Sequence, residues 1–301
     1  MILVCGDIIL DESNEYISKR ISPEAPVPIL ILKRKKFFLG GAANVVNNIK
    51  NLSTDTFLIG SLGKDDAGLR IKKLLKKNKV KHKLICSNQY ITTHKKRGFL
   101  KNKLIFRIDE EKEKKLSLNH QKFILNFVKK NISKFNLLIL SDYNKGFFCR
   151  SFLRKISLVF KLNNKLIITN PKKKNVEFYK YSNILVPNEK EFNSFISPKR
   201  KINKKAEFIF KKLKDLKYLI ITRGNKNVLL VSSKNKIKYL KVKKVKSIDV
   251  TGASDTFLAT ISVFLNKNLS IYGAINKAIK ASKNVVTKKF TSIITMKEIE
   301  N

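Results

Sequence analysis

Short apolar runs alternate with longer amphipathic stretches along most of this 301-residue chain. The short runs are apolar throughout, which predicts strands buried on both faces of a sheet. The longer stretches repeat their apolar residues at helical spacing. Strands are predicted at Ile2–Cys5, Thr56–Ile59, Leu137–Leu140, Leu166–Thr169, Ile184–Val186, Tyr218–Thr222 and Val228–Ser232. Helices are predicted at Ala42–Leu52, Asp66–Lys79, Asn119–Ile132, Arg150–Leu162, Lys205–Leu216, Ala253–Leu265 and Ile271–Val286. This alternation predicts an α/β fold with a doubly wound, mostly parallel sheet flanked by helices.

Two segments interrupt the alternation of strands and helices. Glu15–Leu39 carries three prolines between strand-like pieces, and Leu84–Ile108 contains short strands with polar alternation. Neither segment follows the strand–helix rhythm, so together they predict a small accessory β-sheet. The expected architecture is therefore a single domain over residues 1–301, with lid segments at about 13–39 and 84–110.

The chain is strongly basic, with 65 Lys+Arg against 22 Asp+Glu and a formal net charge of +43. The lysines lie mainly on the polar faces of predicted helices, for example between the apolar positions Ile71, Leu74 and Leu75. This placement favours compositional drift of a solvated surface, and the alternative of a true polyanion-binding surface stays open. No zinc-finger spacing and no aromatic RNA-recognition signature is present, so no specific nucleic-acid partner is expected. A basic surface would attract phosphorylated small molecules.

The cysteines and the hydropathy pattern indicate a cytoplasmic protein without a membrane segment. Cys5, Cys86 and Cys149 are odd in number and far apart, which is typical of a reducing compartment. No apolar run approaches the roughly 18 residues of a membrane span. The N-terminus has no charged region before its apolar stretch, which favours a strand over a signal peptide.

Several common functional motifs are absent from the sequence. None of the eleven glycines form G-x-G-x-x-G, and the one pair at Walker A spacing, Gly63 and Gly68, is followed by Leu69 in place of lysine. The three histidines share no metal-ligand spacing with each other or with the cysteines. No G-x-S-x-G nucleophile elbow occurs. Rossmann dinucleotide binding, a P-loop, a zinc site and an α/β-hydrolase triad are therefore disfavoured.

The stretch Asp249-Val-Thr-Gly-Ala-Ser-Asp-Thr-Phe-Leu leads directly into an apolar helix. The small residues at 252–254 would bring backbone amides together at the helix start, where an anion binds well. A carboxylate in the first turn, at Asp255, could accept a proton from a hydroxyl group while the amides stabilise a transferring phosphoryl group. An ordinary capped helix explains the same residues, and on physical grounds the two interpretations have equal weight.

Four motifs, in order, resemble those of the ribokinase-like (PfkB) carbohydrate kinases over essentially the whole chain. They are Gly40-Gly-Ala-Ala-Asn44, Gly60-Ser-Leu-Gly-Lys-Asp-Asp-Ala-Gly68, Asn188-Glu-Lys-Glu191 and Asp249-Val-Thr-Gly-Ala-Ser-Asp255. The resemblance implies a ribokinase-like fold and the cofactors ATP and Mg²⁺. It implies Asp255 as the catalytic base, with the anion hole formed by Gly252, Ala253 and Ser254. It assigns nucleotide binding to Asn188, Glu191, Thr222 and Gly224, with Glu191 acting on the metal through water. It assigns acceptor binding to Asp7, Asp11, Gly40, Gly41 and Asn44.

Within that family, further strings resemble the kinases of D-glycero-β-D-manno-heptose 7-phosphate. They are Gly6-Asp-Ile-Ile-Leu-Asp11, Arg20-Ile-Ser-Pro-Glu-Ala-Pro-Val-Pro28, Thr92-Thr-His-Lys-Lys-Arg97 and Ser141-Asp-Tyr-Asn-Lys-Gly146. The implied reaction is phosphorylation at O1 to the 1,7-bisphosphate, a precursor of lipopolysaccharide core heptose. Lys95 and Arg97, on a lid strand, can supply charge-assisted hydrogen bonds to the 7-phosphate. The alternatives are another ribokinase-like sugar kinase and a non-catalytic paralogue that binds a sugar phosphate.

The small sheet has one apolar face, and a small exposed sheet of this kind needs a packing partner, so it predicts a homodimer formed through the lid. Four positions depart from the family pattern: Ser254 for a glycine, Asn170 for an aspartate, Asn227 for a second glycine, and Ile279 for an asparagine near the base.

The bifunctional relatives also carry a cytidylyltransferase after the kinase part. We expect that activity to be absent here or supplied by another protein.

Overall fold

The computed structural model describes residues 1–196, 200–234 and 236–300. Its strands are β1 (Ile2–Gly6), β2 (Ile8–Ile17), β3 (Ile31–Gly41), β4 (Thr56–Gly63), β5 (Lys81–Ser87), β6 (Thr93–Leu100), β7 (Lys103–Glu110), β8 (Leu137–Ser141), β9 (Leu166–Asn170), β10 (Ile184–Leu185), β11 (Tyr218–Ile221), β12 (Val228–Ser232) and β13 (Ile237–Leu240). Its helices are α1 (Ala42–Asn51), α2 (Asp66–Lys77), α3 (Leu118–Lys130), α4 (Arg150–Leu162), α5 (Glu189–Ser194), α6 (Ile202–Lys212), α7 (Ala253–Asn266), α8 (Ile271–Val286) and α9 (Met296–Glu300).

Nine strands form one large sheet in the order β13-β12-β11-β10-β9-β8-β1-β4-β5, and only β12 runs against the others. Successive residues of a strand point to opposite faces, so β1 contributes to two cores. Ile2 and Val4 pack with α1, α7 and α8, whereas Leu3 and Cys5 pack with α3 and α4. Helices therefore cover both faces, which confirms the predicted doubly wound α/β architecture. Among the described helices, none is both long and apolar enough to span a bilayer.

A second sheet of four strands, in the order β3-β2-β6-β7, forms the lid. A single residue, Asp7, separates β1 of the large sheet from β2 of the lid, and β3 continues directly into α1. The lid strands lie within residues 8–41 and 93–110. The predicted lid segments were about 13–39 and 84–110, so the first begins earlier and the second begins later than predicted. Residues 84–87, predicted in the lid, belong to β5 at the edge of the large sheet. An edge strand has one side in solvent, so its polar alternation resembles that of a lid strand.

The order in which strands join the sheet reverses at β1, because β4 lies on one side of it and β8 on the other. Ligands of open α/β sheets bind at such a point, outside the carboxyl ends of the strands. Asp7 follows β1 at this edge, and residues 142–147 follow β8. Helix α7 begins nearby, since the Asp255 side chain in its first turn contacts Tyr143 of the loop after β8. The fold therefore brings together, in one cleft, the ends of β1 and β8 and the N-terminus of α7. Asp7, which links β1 to the lid strand β2, lies there too and is called the lid hinge below.

Candidate active site

Asp255 lies buried in the first turn of α7, held by one donor on each carboxylate oxygen. Asn44 Nδ2, from the first turn of α1, donates to Oδ2 at 2.9 Å, and the Tyr143 hydroxyl donates to Oδ1. Burial raises the pKa of Asp255 to about 7, although both hydrogen bonds oppose this rise. The charge of Asp11 raises it further, and that of Lys95 lowers it. A carboxyl group with a pKa near neutrality is suited to accepting a proton during catalysis.

The backbone before α7 forms a tight turn with exposed amides. Gly252 has φ +82°, in the left-handed region that favours glycine, and an added Cβ would lie 2.9 Å from Asn44 Nδ2. The Ala253 amide donates to Val250 O at 3.3 Å, so it is engaged within the turn. In the described part of the chain, the amides of Gly252 and Ser254 have no hydrogen-bond acceptor. Two of the three predicted anion-hole amides are therefore available at a helix N-terminus.

The lid turns a charged face towards this turn. Residues opposite each other in a sheet share a face, and the register pairs Asp11 with Lys95 and Lys95 with Asp109. Arg97 lies opposite Arg107 on the same face. Two ion pairs balance the arginines: Arg97 Nη1 bonds Asp11 Oδ1 at 2.7 Å, and Arg107 bonds Asp109 through two nitrogens at 2.7 and 2.6 Å.

The same lid face closes over the turn before α7. Asp11 and Arg97 line a small cavity together with Asp249 and Thr251 of the turn. In the part of the chain that the structure describes, Lys95 takes part in no ion pair. Burial and the charge of Arg107 both lower the pKa of Lys95. Three cations against two carboxylates leave this inner face with an excess of positive charge.

The two predicted acceptor-site glycines allow close approach between the lid and the core. A Cβ at Gly40 would lie 2.5 Å from Asp11 Oδ2, and a Cβ at Gly41 would lie 2.5 Å from Asp7 O. Gly41 also has φ +58°, at the position before α1. Larger residues would therefore displace Asp11 and the start of α1, which carries Asn44.

Asp7 is buried, and both of its carboxylate oxygens accept backbone amides of the loop after β8. Oδ2 accepts from Tyr143 N at 2.8 Å and Lys145 N at 3.2 Å, and Oδ1 accepts from Phe147 N at 3.1 Å. Burial and the charge of Asp142 raise the pKa of Asp7 to about 6, against the effect of these amides. The predicted acceptor-binding Asp7 therefore serves as the anchor of a loop.

A cavity of about 350 Å³ lies against the first turns of α7, and no lid residue lines it. Its walls include the predicted nucleotide and anion-hole residues Asn188, Thr222, Gly224, Ala253 and Ser254. Its opposite end is apolar, lined by Val228, Val242, Val250, Phe257, Ile279 and Val286. An apolar slot that ends at a helix N-terminus fits a flat base with a phosphate chain.

Asn188 and Glu191 form a capping box at the start of α5. Glu191 N donates to Asn188 Oδ1 at 2.8 Å, and Asn188 N donates to Glu191 Oε2 at 2.9 Å. Glu191 Oε1 also accepts from Lys172 Nζ at 2.9 Å. Within the described ranges no group of three or more His, Cys, Asp and Glu side chains could enclose a metal. Mg²⁺ is usually held by one or two carboxylates, waters and substrate phosphates, so Glu191 is the residue here that could act on such an ion through water.

The four departures from the family pattern lie in different environments. Ser254 is exposed at the cavity wall and keeps its amide, while Ile279 forms part of the apolar end. Asn170 ends β9 and accepts the Asp142 amide with its backbone oxygen at 3.1 Å. Asn227 does not line the cavity, because Gly224 and Asn225 form that wall. Of the four, only Ser254 and Ile279 therefore line the cavity of about 350 Å³.

Sequence reasoning missed Tyr143, Arg107 and Asp109 as site residues. Tyr143 belongs to a string that carried the family resemblance, but the string alone assigns it no contact. Arg107 and Asp109 alternate along β7, and this two-residue spacing was the available signal.

Fold and site together define a sugar kinase of the ribokinase-like type, and the comparisons agree. The model of the pfkB family carbohydrate kinases matches residues 3–298, so the chain belongs to this family. The bifunctional protein HldE of Aliarcobacter butzleri is 33% identical over 99% of this chain and 63% of that protein. HldE of Blochmanniella floridana is 34% identical over 100% of this chain and 62% of that protein. The chain thus spans somewhat less than two thirds of these relatives.

Solved structures show the same fold at low identity. Phosphofructokinase-2 from Escherichia coli has a TM-score of 0.78 at 16% identity, with 100% of this chain and 97% of that chain covered. Ribokinase from Thermotoga maritima has a TM-score of 0.76 at 22% identity, with 99% and 97% covered. Ribokinase from Arabidopsis thaliana, complexed with ribose and ATP, has a TM-score of 0.74 at 19% identity, with 99% and 97% covered. The chain is a carbohydrate kinase.

Proposed function

We propose that this kinase transfers the γ-phosphoryl group of ATP to O1 of D-glycero-β-D-manno-heptose 7-phosphate, forming the 1,7-bisphosphate for lipopolysaccharide core synthesis. The observation that carries the proposal is the inner lid face, where Lys95, Arg97 and Arg107 lie together. Like charges directly opposite in a sheet reduce its stability. An anionic acceptor, such as a sugar phosphate that binds between the lid and α7, would offset the positive charge that remains after the two ion pairs.

The proposed mechanism centres on Asp255, because the turn before it contributes Thr251 to the lid cavity, while Ala253 and Ser254 beside it line the cavity of about 350 Å³. Its carboxylate accepts the proton of the acceptor hydroxyl as that oxygen attacks the γ-phosphorus. The Gly252 and Ser254 amides, at the N-terminus of α7, hydrogen-bond the phosphoryl oxygens as their charge develops. Asn188 and Glu191 would hold Mg²⁺ through water, and the ion would supply charge neutralisation at the nucleotide phosphates. Positioning and electrostatics supply most of the rate in such transfers.

The structure of Arabidopsis thaliana ribokinase complexed with ribose and ATP supports ATP as the phosphoryl donor of this kinase. The three cysteines are all free, as expected of the reducing cytoplasm in which we place the enzyme. The +43 charge contributes non-specific, salt-dependent attraction for polyanions, without a specific nucleic-acid partner.

A coupled assay of ADP release over a panel of sugar phosphates tests the proposal. We expect the highest kcat/KM with heptose 7-phosphate of the β configuration, and a dependence on added Mg²⁺. A higher kcat/KM with another phosphorylated sugar would indicate a different sugar kinase of the family. No turnover with any member, together with sugar-phosphate binding by calorimetry, would indicate a non-catalytic paralogue.

We expect kcat to rise with pH through about 7 and to level off above it. Burial raises the pKa of Asp255 to about 7, and only the ionised carboxylate can accept the proton. The measurement is kcat at saturating substrates between pH 5.5 and 9. A profile that is flat across this range would contradict the role of Asp255 as base.

We also propose a homodimer formed through the outer face of the lid. This face carries the half-exposed Ile91 and Ile108, which line a cavity of about 600 Å³ against the start of α2. The edge strand β7 is exposed along most of its length. Exposed apolar surface and an open sheet edge favour pairing with a second copy.

Light scattering at micromolar concentration should give twice the chain mass of 34.6 kDa. Ile108→Asp should reduce the mass to that of one chain, because a charge on the outer face cannot be buried in the interface. Leu162→Asp, at the exposed end of α4, is the matched control and should stay dimeric. A monomeric wild-type protein would sink the proposal.

A further inference from the structure

Tyr143 reaches the catalytic carboxylate from the side opposite to α1. It is the second residue after β8, and its hydroxyl donates to Asp255 Oδ1. Asn44 donates to the other oxygen, Oδ2, at 2.9 Å. Each carboxylate oxygen has two lone pairs, so one remains on each for the acceptor hydroxyl. The two donors together fix the plane of the carboxylate and leave each oxygen able to accept one more hydrogen bond.

The loop that carries Tyr143 is anchored to the lid hinge. Three of its amides, at Tyr143, Lys145 and Phe147, donate to the buried carboxylate of Asp7. Asp7 itself is the one residue between β1 and β2, and its backbone oxygen accepts the Ala42 amide at 2.9 Å. The hinge therefore contacts the loop of Tyr143 through the Asp7 side chain, and it contacts the start of α1, which carries Asn44, through the Asp7 backbone.

We propose that Tyr143 is a positioning residue for phosphoryl transfer, holding the Asp255 carboxylate towards the acceptor while Asp7 holds its loop. The inference rests on the proposed function, since it assigns a task within that reaction. Tyr143 acts through Asp255 and need not touch the acceptor. Two donors from separate elements keep a buried carboxylate from rotating, which preserves the geometry that proton transfer requires.

The charges around Asp255 set the sign of the expected effect. Tyr143 and Asn44 donate hydrogen bonds to it, and Asp11 and Lys95 of the lid act on it with opposite signs. The N-terminal end of α7 favours its ionised form. A hydrogen bond to the ionised form lowers a pKa, so loss of the Tyr143 hydroxyl raises the pKa of Asp255.

The test is Tyr143→Phe, which removes only the hydroxyl group. We expect the rising limb of the kcat–pH profile to move up by about one to two pH units, the range for a hydrogen bond to a charged group. At pH 7 this shift lowers kcat roughly ten-fold, and the loss is largely recovered at pH 9. The KM for ATP should stay unchanged, since Tyr143 does not line the nucleotide cavity.

Tyr179→Phe is the matched control. Tyr179 donates to Asp142 Oδ2 at 2.7 Å, so it is also a buried tyrosine–aspartate pair beside the cleft, but it does not contact Asp255. We expect this variant to lower the melting temperature and to leave the pH profile in place. If Tyr143→Phe behaves in the same way, Tyr143 is merely structural and the proposal is overturned.

A second measurement separates this proposal from the proposed reaction. The pKa of Asp255 lies above that of an unfolded aspartate, so ionisation favours the unfolded chain. Relative to Asp255→Asn, the unfolding free energy of the wild type should fall as pH rises from about 4 to about 7. In the Tyr143→Phe background, compared with the double variant, this fall should extend to higher pH. Such a shift without turnover of any sugar phosphate would retain Tyr143's contact and reject the reaction, whereas turnover without a shift would reject the role of Tyr143.

Discussion

Asp255→Asn should lower kcat by about 10²- to 10⁴-fold, the usual loss when a positioned base is removed. The amide has the shape of the carboxylate, so its oxygen can still accept from Asn44 and its nitrogen can donate to the Tyr143 oxygen. The fold and the acceptor site should therefore persist, and the loss should appear in kcat far more than in KM. ATP binding is expected to be equal or tighter, because repulsion between the carboxylate and the γ-phosphate is removed.

Thermal stability distinguishes this role from simple helix capping. A capping carboxylate would stabilise α7, and its loss would lower the melting temperature while turnover stayed nearly normal. A buried carboxylate with a pKa of about 7 instead costs stability when it ionises. Sign and pH range follow from this: at pH 8 the asparagine variant should melt at or above the wild type, and the difference should shrink towards pH 5. A kcat within a few-fold of wild type would show that Asp255 is not the base.

Lys95→Met should lower kcat/KM for heptose 7-phosphate by about 10- to 100-fold, corresponding to one charge-assisted contact. Lys95 has no ion pair within the described residues, so it is available to a phosphate, whose negative charge would oppose the lowering of its pKa by burial and Arg107. The effect should lie mainly in the KM of the acceptor, with the KM of ATP unchanged. Methionine retains the apolar stem, so the lid should fold normally.

Lys96→Met is the matched control, one residue further along β6. Its side chain points to the outer face and pairs with Glu110, away from Asp255. We expect near-normal kcat/KM from this variant. A comparison with unphosphorylated heptose completes the design, because loss of a phosphate contact should leave that slow reaction unaffected. Equal losses with both acceptors would assign Lys95 to the sugar or to the lid rather than to the phosphate.

The large sheet could be predicted from sequence because its strands are buried on both faces. β1, β8 and β9 are continuous apolar runs, and each lies within a residue of its predicted bounds. β2 was not predicted as a strand, because residues 11–15 are all polar, although four of them are buried in the structure. Their burial depends on strands β3 and β6, which are distant in sequence. α6 ends at Lys212 rather than at the predicted Leu216, although Leu213 and Leu216 remain buried in the turn that follows.

The site residues divide in the same way: those within one continuous string could be predicted, and contacts between residues distant in sequence could not. Asp255 and its turn form one continuous string, so local chemistry and family resemblance both pointed to it. The Asn44–Asp255 hydrogen bond joins residues 211 positions apart, and no local pattern predicts it. Glu191 illustrates the opposite case, because the spacing that suggests metal binding also forms a capping box. The structure shows that capping box, and the proposed metal role is an additional one.

The order of the parts along the chain has a consequence for how such enzymes diversify. The lid strands all come from the first 110 residues, whereas the cavity of about 350 Å³ is lined by residues from Asn188 onwards. Under the proposed function, most acceptor contacts and the nucleotide contacts would therefore come from separate parts of the chain, which mutation can alter separately. Asn44 of the first part donates directly to Asp255 of the second, and Tyr143, from the chain between them, donates to the same carboxylate. Variants that keep these two donors can explore new acceptors without rebuilding the machinery of phosphoryl transfer.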